Sequence, residues 1–247
     1  MDSKKNFYKY NYQSDMMEMS NKYQYFIKLL KKINKSIPLH IENFLDYGCG
    51  DGSFMKTCKE YFNIPNVYGC DISENAIKNI NKDNFAKGYV VDTDKENLPF
   101  PDNFFDFIFC GEIIEHLYDP DHFLGEIFRV CRRGGVVMFT TPNLASWFNR
   151  ISLLFGYMPI FCDTGLKNNY GHLYKMNPAG HLRLYTYKAF RSFLLAHNFS
   201  IMTIKGIGIN NKIGFGRKFK YFIYFANIIF MSAKLASGMV AVVQPNK

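Results

Sequence analysis

The 247 residues carry 30 Lys and Arg against 21 Asp and Glu, for a net charge of +9, and 48% are hydrophobic. That is enough apolar material for one substantial core without a second domain, and the positive field favours an anionic partner. Six scattered cysteines, with no C-x-x-C pair and no Cys/His cluster at zinc spacing, indicate neither a disulfide framework nor a metal site, and no run reaches the ~18 apolar residues of a membrane span, so a cytoplasmic protein is expected.

Met16 to Lys35 reads as a helix, with Tyr23, Phe26, Ile27, Leu30 and Ile33 at spacings of three and four. From Asn43 to Asn143 short apolar runs alternate with helical patterns, the signature of βαβ units around a parallel sheet. "NFLDYG" is a strand, "SFMKTCKEYF" a helix and "NVYGCD" the next strand. Ser73 caps the helix "ENAIKNI", and "GYVVD" is a third strand ending at Asp92. "FFDFIFCG", apolar almost throughout, is a central fourth strand. Asp119-Pro120 opens a helix that Gly134-Gly135 is expected to stop, before a fifth strand, "VVMFTT". Leu144 to Tyr185 is aromatic-rich without clean alternation and reads as an inserted cap. "TYKAFRSFLLAHN" is a helix capped by Thr186, "FSIMTIKGIG" a strand, "KFKYFIYFANIIFMSAKL" an apolar helix and "GMVAVVQ" the last strand. The expected architecture is one α/β domain with a Rossmann-like doubly wound sheet, mostly parallel with an antiparallel last strand. Residues 1–40 form an N-terminal helical cap, 41–143 the ligand-binding core, 144–185 the inserted substrate cap and 186–247 the completion of the sheet.

The stretch "FLDYGCGDGSF" spaces its glycines as G-x-G-x-G (Gly48, Gly50, Gly52), not as the G-x-G-x-x-G pyrophosphate turn, and no Gly-Lys-Ser/Thr follows. Asp46 and Asp51 would repel a pyrophosphate, and no nearby Lys or Arg is placed to offset that. A ligand with a ribose, a cationic centre and no phosphates suits the loop better, and S-adenosylmethionine (SAM) has all three properties. Asp71 follows the loop by about 20 residues, the distance a helix and a return strand require for a carboxylate that accepts from ribose hydroxyls. A nicotinamide oxidoreductase, the rival for any glycine-rich βαβ unit, is opposed by the same two aspartates.

On these residues the segment Asn43 to Asn143 resembles the core of class I SAM-dependent methyltransferases of the small-molecule type, similar to those of bacterial sugar, lipid or cell-surface biosynthesis. The resemblance implies that Asp46, Gly48, Gly50 and Gly52 run beneath the methionine part of the cofactor and that Asp71 takes both ribose hydroxyls. It also implies that Asp92, with Asp94 as a rival register, approaches the adenine amino group, and that Ile72, Thr93 and Cys110 complete a site whose product is S-adenosylhomocysteine.

Candidates for the acceptor side come from two segments. In "CGEIIEHL", Glu112 and His116 share one face if the segment is helical, and His116 is a candidate general base. In "YGHLYKMNPAGHLRLYT", His181 and Arg183 would point the same way on an extended strand, pairing a second candidate base with an anion-binding fork. In the family this H-x-R-x-[YF]-T segment, which ends here with Tyr185 and Thr186, closes over the substrate. The aromatic cap adds Trp147, Phe148, Tyr170 and Tyr174, with Trp147 and Tyr170 as substrate contacts. The place of the Asn/Asp-Pro-Pro box of nucleic-acid base methyltransferases holds "CGEI", which disfavours a nucleic-acid partner. The leading expectation is methylation at oxygen of a small, phosphorylated or nucleotide-linked metabolite. A lipid-linked acceptor at a membrane surface is the alternative, prompted by "FKYFIYFANIIFMSA" beside Lys212, Arg217, Lys218 and Lys220.

Overall fold

The structure, a computed structural model, describes residues 16–36, 40–173, 175–208 and 230–247. Tyr174, the basic cluster at Lys212 to Lys220 and most of the expected helix at 218–235 lie outside the described residues; the described end of that segment, 230–235, is turn and bend, not helix.

The elements in chain order are α1 (Met16–Ser36), β1 (Asn43–Tyr47), α2 (Ser53–Phe62), β2 (Asn66–Asp71), α3 (Glu74–Asp83), β3 (Lys87–Val90) and β4 (Phe105–Gly111). A single 3-10 turn (Ile114–His116) then leads to α4 (Pro120–Val130), β5 (Cys131–Pro142), α5 (Trp147–Leu154), α6 (Tyr187–Ala196), β6 (Phe199–Ile207) and β7 (Gly238–Pro245). The seven strands are ordered β3-β2-β1-β4-β5-β7-β6, a mixed Rossmann-like sheet. β1 pairs in parallel with β2 and β4, β2 pairs in parallel with β3, and β6 and β7 are antiparallel. No helix among the described residues is long and apolar enough to cross a membrane.

The chain divides into two compact units, one of residues up to Cys110 with Glu126–Val137 and Lys247, the other of Gly111–Gly125 and Met138–Asn246. The first is built on β1, whose residues Phe44 to Tyr47 are buried as expected for a strand covered on both faces. Phe44 stacks on Phe107 with ring centroids 4.9 Å apart, and Phe54 lies 3.9 Å from Phe109. Phe26 of α1 meets both Phe54 (6.1 Å) and Phe109 (5.7 Å), so the apolar stripe of that helix is used as expected. Each such aromatic pair adds about 0.5–1.5 kcal/mol beyond the area it buries. In the second unit Phe139 is surrounded by Phe123, Phe190 and Phe199 at 6.2–6.4 Å.

Caps set the helix starts. The Ser73 hydroxyl accepts from the Ala76 N–H and that of Thr186 from the Ala189 N–H. Ser146, which the pattern did not single out, caps α5 by accepting from Asn149 N–H, so the inserted segment is not wholly irregular.

Two expectations need correction. Gly134-Gly135 does not stop α4. The helix ends at Val130 and β5 begins at once, because the last helical carbonyls are taken by a distant segment: Asn103 N–H donates to Arg129 O and Phe104 N–H to Val130 O. Gly135 serves close approach instead, since a Cβ there would stand 2.8 Å from Cys131 Sγ and 3.0 Å from Phe105 O, while Gly134 takes a positive φ of 74°. The third strand also stops at Val90, short of Asp92, whose carbonyl turns the chain by accepting from Lys95 and Glu96 N–H.

Candidate functional site

The glycine loop belongs to the first unit. Gly48, Gly50 and Gly52 all have positive φ (83°, 54° and 76°), a conformation that glycine adopts without the steric cost a side chain would add. A Cβ on Gly52 would in addition stand 3.0 Å from the Phe85 ring. Gly48 and Cys49 N–H both donate to Cys70 O at the end of β2, and Gly50 N–H donates to Asp71 Oδ2 at 2.9 Å. Asp71 Oδ1 accepts from Ser73 N–H at 2.8 Å. One carboxylate thus fastens the loop to the next helix start. An ionised carboxylate has about four acceptor sites, so Asp71 retains capacity for a ligand's hydroxyls.

Asp46 is almost fully buried, and burial, with the charges of Asp71 and Asp51, pushes its carboxyl well above the ordinary range. Burial also raises Asp71, against the lowering effect of the N–H groups of Ser73, Gly50 and Ile72. One buried and one half-buried carboxyl near a glycine turn are a site in search of positive charge, and phosphate would worsen the repulsion. These residues fit SAM, with its ammonium and sulfonium groups: Asp46 and Asp71 would hold it over the loop.

The remaining expected cofactor contacts are also in this unit. Asp92 is pinned by its own turn, accepting from Asp94 N–H at 3.3 Å and pairing with Lys95. Thr93 is buried, Ile72 half-buried, and Cys110, next to last in β4, has a thiol that burial, then the charge of Asp46, raises well above its usual pKa.

The second unit gathers the other candidates. Glu112 does not share a helical face with His116, because it lies before the 3-10 turn with φ 54°. That left-handed conformation costs about 1–2 kcal/mol for a non-glycine residue. It is held by Thr140, whose carbonyl accepts from Glu112 N–H at 3.0 Å and whose hydroxyl donates to Glu112 Oε1 at 2.7 Å. His116 and His181, 65 positions apart in the sequence, stand with ring centroids 4.7 Å apart. His181 is not on a strand with Arg183. Its ring Nδ1 lies 2.9 Å from Phe161 O, while the Arg183 guanidinium donates to Leu117 O and, at 2.9 Å, to Tyr118 O. The fork expected for an anion is therefore used to fasten the chain near His116.

Tyr185 is buried, with no hydrogen-bond partner for its hydroxyl among the described residues, and burial raises that hydroxyl to about 12. Trp147 is buried in the first turn of α5 and stacks on Phe230 at 5.7 Å, whereas Tyr170 is largely exposed. Two residues escaped sequence reasoning. Glu115, fully buried, accepts from the Thr141 hydroxyl at 3.0 Å. Asp163 accepts from Ala179, Gly180 and His181 N–H and from the Asn169 amide, and although burial opposes it, these bonds hold its carboxyl below the ordinary range. Asp163 sits in an aromatic segment with no motif, so only the fold reveals it; Glu115 was visible as the second acid of E-x-x-E-H but had no partner to give it a role.

Residues 45–139 match the family described as "Methyltransferase domain". Among curated relatives, the chain is 34% identical over 102 residues to a malonyl-[acyl-carrier protein] O-methyltransferase of Hamiltonella defensa, covering 41% of this chain and 38% of the relative. It is 31% identical over 129 residues to a demethylmenaquinone methyltransferase of Listeria welshimeri, covering 48% and 54%. The chain thus spans about half or less of the length of these relatives. Among solved structures, a SAM-dependent methyltransferase from Archaeoglobus fulgidus superposes with a TM-score of 0.55 at 18% identity, covering 88% of this chain and 93% of that one, which shows a shared fold.

Proposed function

We propose, from the match of residues 45–139 to a methyltransferase domain, that the chain is a class I SAM-dependent methyltransferase that moves the methyl group of SAM to a hydroxyl oxygen of a small, anionic acceptor. The observation that carries the reading is the buried carboxyl of Asp46 with the half-buried one of Asp71, at a glycine turn whose backbone is bent through three positive-φ positions. SAM supplies a methyl carbon already activated by the sulfonium, so the protein need only place the nucleophile and promote loss of its proton. Asp71 would take the ribose hydroxyls with its remaining lone pairs, and Asp46 would meet the positive charge. His116 and His181 are where we place activation of the acceptor hydroxyl, which loses its proton as the new carbon–oxygen bond forms. A relative named for methylation at oxygen supports oxygen as the target, and the charge of +9 supports an anionic acceptor.

Calorimetry tests the cofactor: SAM and S-adenosylhomocysteine should bind and NADH should not, and tight NADH binding without SAM binding would overturn the proposal. The acceptor is tested by release of S-adenosylhomocysteine in the presence of phosphorylated or nucleotide-linked alcohols. A lipid-linked acceptor is the second reading, favoured by the exposed apolar residues Ile151, Leu153, Leu154 and Phe155 at the end of α5. Retention on anionic vesicles at moderate salt would support it, and recovery in the supernatant would remove it.

A further inference from the structure

Three side chains of metal-ligand type meet in the second unit. Glu115 and His116 on the 3-10 turn and His181 from the distant segment each offer a ligand atom, all within 4.8 Å of one another. Metal–nitrogen and metal–oxygen bonds of about 2.0–2.2 Å place ligand atoms roughly 3–3.5 Å apart. Closing on an ion thus asks for side-chain adjustment of about an ångström, not a refolded loop.

The surroundings set the chemistry of each group. His116 Nδ1 lies 3.0 Å from Gly180 O and His181 Nδ1 2.9 Å from Phe161 O. A carbonyl can only accept, so Nδ1 carries a proton in both rings, and in the neutral form of each ring Nε2 carries the lone pair. That is the tautomer in which imidazole ligates a metal while its other nitrogen is held by an outer partner. The Glu115 carboxylate has its own outer partner in the Thr141 hydroxyl. It is also fully buried, a position that costs several kcal/mol for a carboxylate unless positive charge or donors compensate it.

The frame is fixed in advance. Leu182 and Arg183 N–H both donate to Glu115 O, at 2.8 and 3.1 Å, and the Arg183 guanidinium ties down Leu117 and Tyr118. Asp163 gathers the N–H groups of the three residues ending in His181. Phe161, whose carbonyl receives the His181 ring, is itself held at φ 69°, backbone strain of the kind that persists where the surroundings over-determine a site.

We propose that Glu115, His116 and His181 form a site for one divalent transition-metal ion, with its open positions available to an oxygen of the acceptor. Two imidazoles and one carboxylate suit Mn, Fe, Co or Zn better than Mg or Ca, which prefer all-oxygen shells. Use of the ion in catalysis rests on the proposed methyl transfer: a hydroxyl bound to it would ionise more readily, as metal-bound water does. The histidines then act as ligands, and the proton leaves to solvent.

The test uses the untagged full chain, stripped with EDTA and titrated with Co2+, and follows the visible absorption of the bound ion. Saturation at about one ion per chain is expected, with binding at least tenfold weaker in Glu115→Gln and in His181→Ala, while His40→Ala, an exposed histidine elsewhere, behaves as the parent. SAM binding is measured on the same samples and should match the parent in every variant, which certifies the fold. No cobalt binding by the parent, or binding unchanged in both ligand variants, overturns the site. Metal loss with SAM binding intact leaves the proposed function standing, whereas cobalt binding without SAM binding by the parent removes that function and keeps the site.

Discussion

The glycine loop and the histidine cluster are two ways of holding polar groups ready. In the loop every constraint is local: three positive-φ glycines, a strand end, and an aspartate 21 positions on that returns a bond to Gly50. In the cluster nothing is local. His116 and His181 meet only because backbone carbonyls, an arginine fork and Asp163 bind segments 65 positions apart. A local device tolerates change elsewhere and fails sharply at its own residues. A long-range one can be weakened from many points.

The sharpest test of this contrast is Gly52→Ala. A left-handed φ costs a non-glycine about 1–2 kcal/mol, and contact with the Phe85 ring adds to it. Thermal stability should fall and SAM affinity drop more than tenfold, measured by calorimetry. Asp71→Ala should follow closely, because it removes bonds to both Gly50 and Ser73 as well as the proposed ribose contact. Loss of a charge-assisted hydrogen bond of about 1.5–3 kcal/mol predicts at least a tenfold loss of SAM affinity. Unchanged affinity would mean the loop holds itself.

Asp163→Ala is the matching test for the cluster, with a smaller cost of about 1–2 kcal/mol given its partial exposure, and with SAM binding unaffected. The two regions should also differ in sign with pH. Asp163 has a lowered pKa, so its stabilisation is present above the ordinary carboxylate value and is lost as pH falls through the lowered one. Asp71 has a raised pKa, so its protonation favours the fold at low pH and that contribution fades as pH rises through the raised value. Melting temperature against pH should therefore fall less steeply on the acid side in Asp163→Ala than in the parent. The smallest effect belongs to Tyr185→Phe. Its buried hydroxyl has no partner among the described residues, so stability should be unchanged or slightly higher, and any loss of activity would then report contact with the acceptor.

The Rossmann-like sheet was legible because its strands and helices carry their own signals. β2 and α2 fall where their patterns end, and Ser73 and Thr186 cap as their positions suggested. The stop of α4 was not legible, since the groups that satisfy its last carbonyls come from Asn103 and Phe104, before the helix begins. Arg183 shows the same limit from the other side: its spacing from His181 suggested an anion fork, and its geometry spends that fork on two backbone carbonyls.

By itself, then, the sequence determined the order of elements, the conformation of the glycine turn and the kind of ligand that two acidic residues beside it favour, because periodicity, φ preference and charge are properties of neighbours in the chain. Only the tertiary structure decided that Glu115, His116 and His181 share one place, that both imidazoles turn Nδ1 to a backbone carbonyl, and that Asp163 holds one of them there. Those facts depend on hydrogen bonds closed across long loops, whose partners no local pattern can choose.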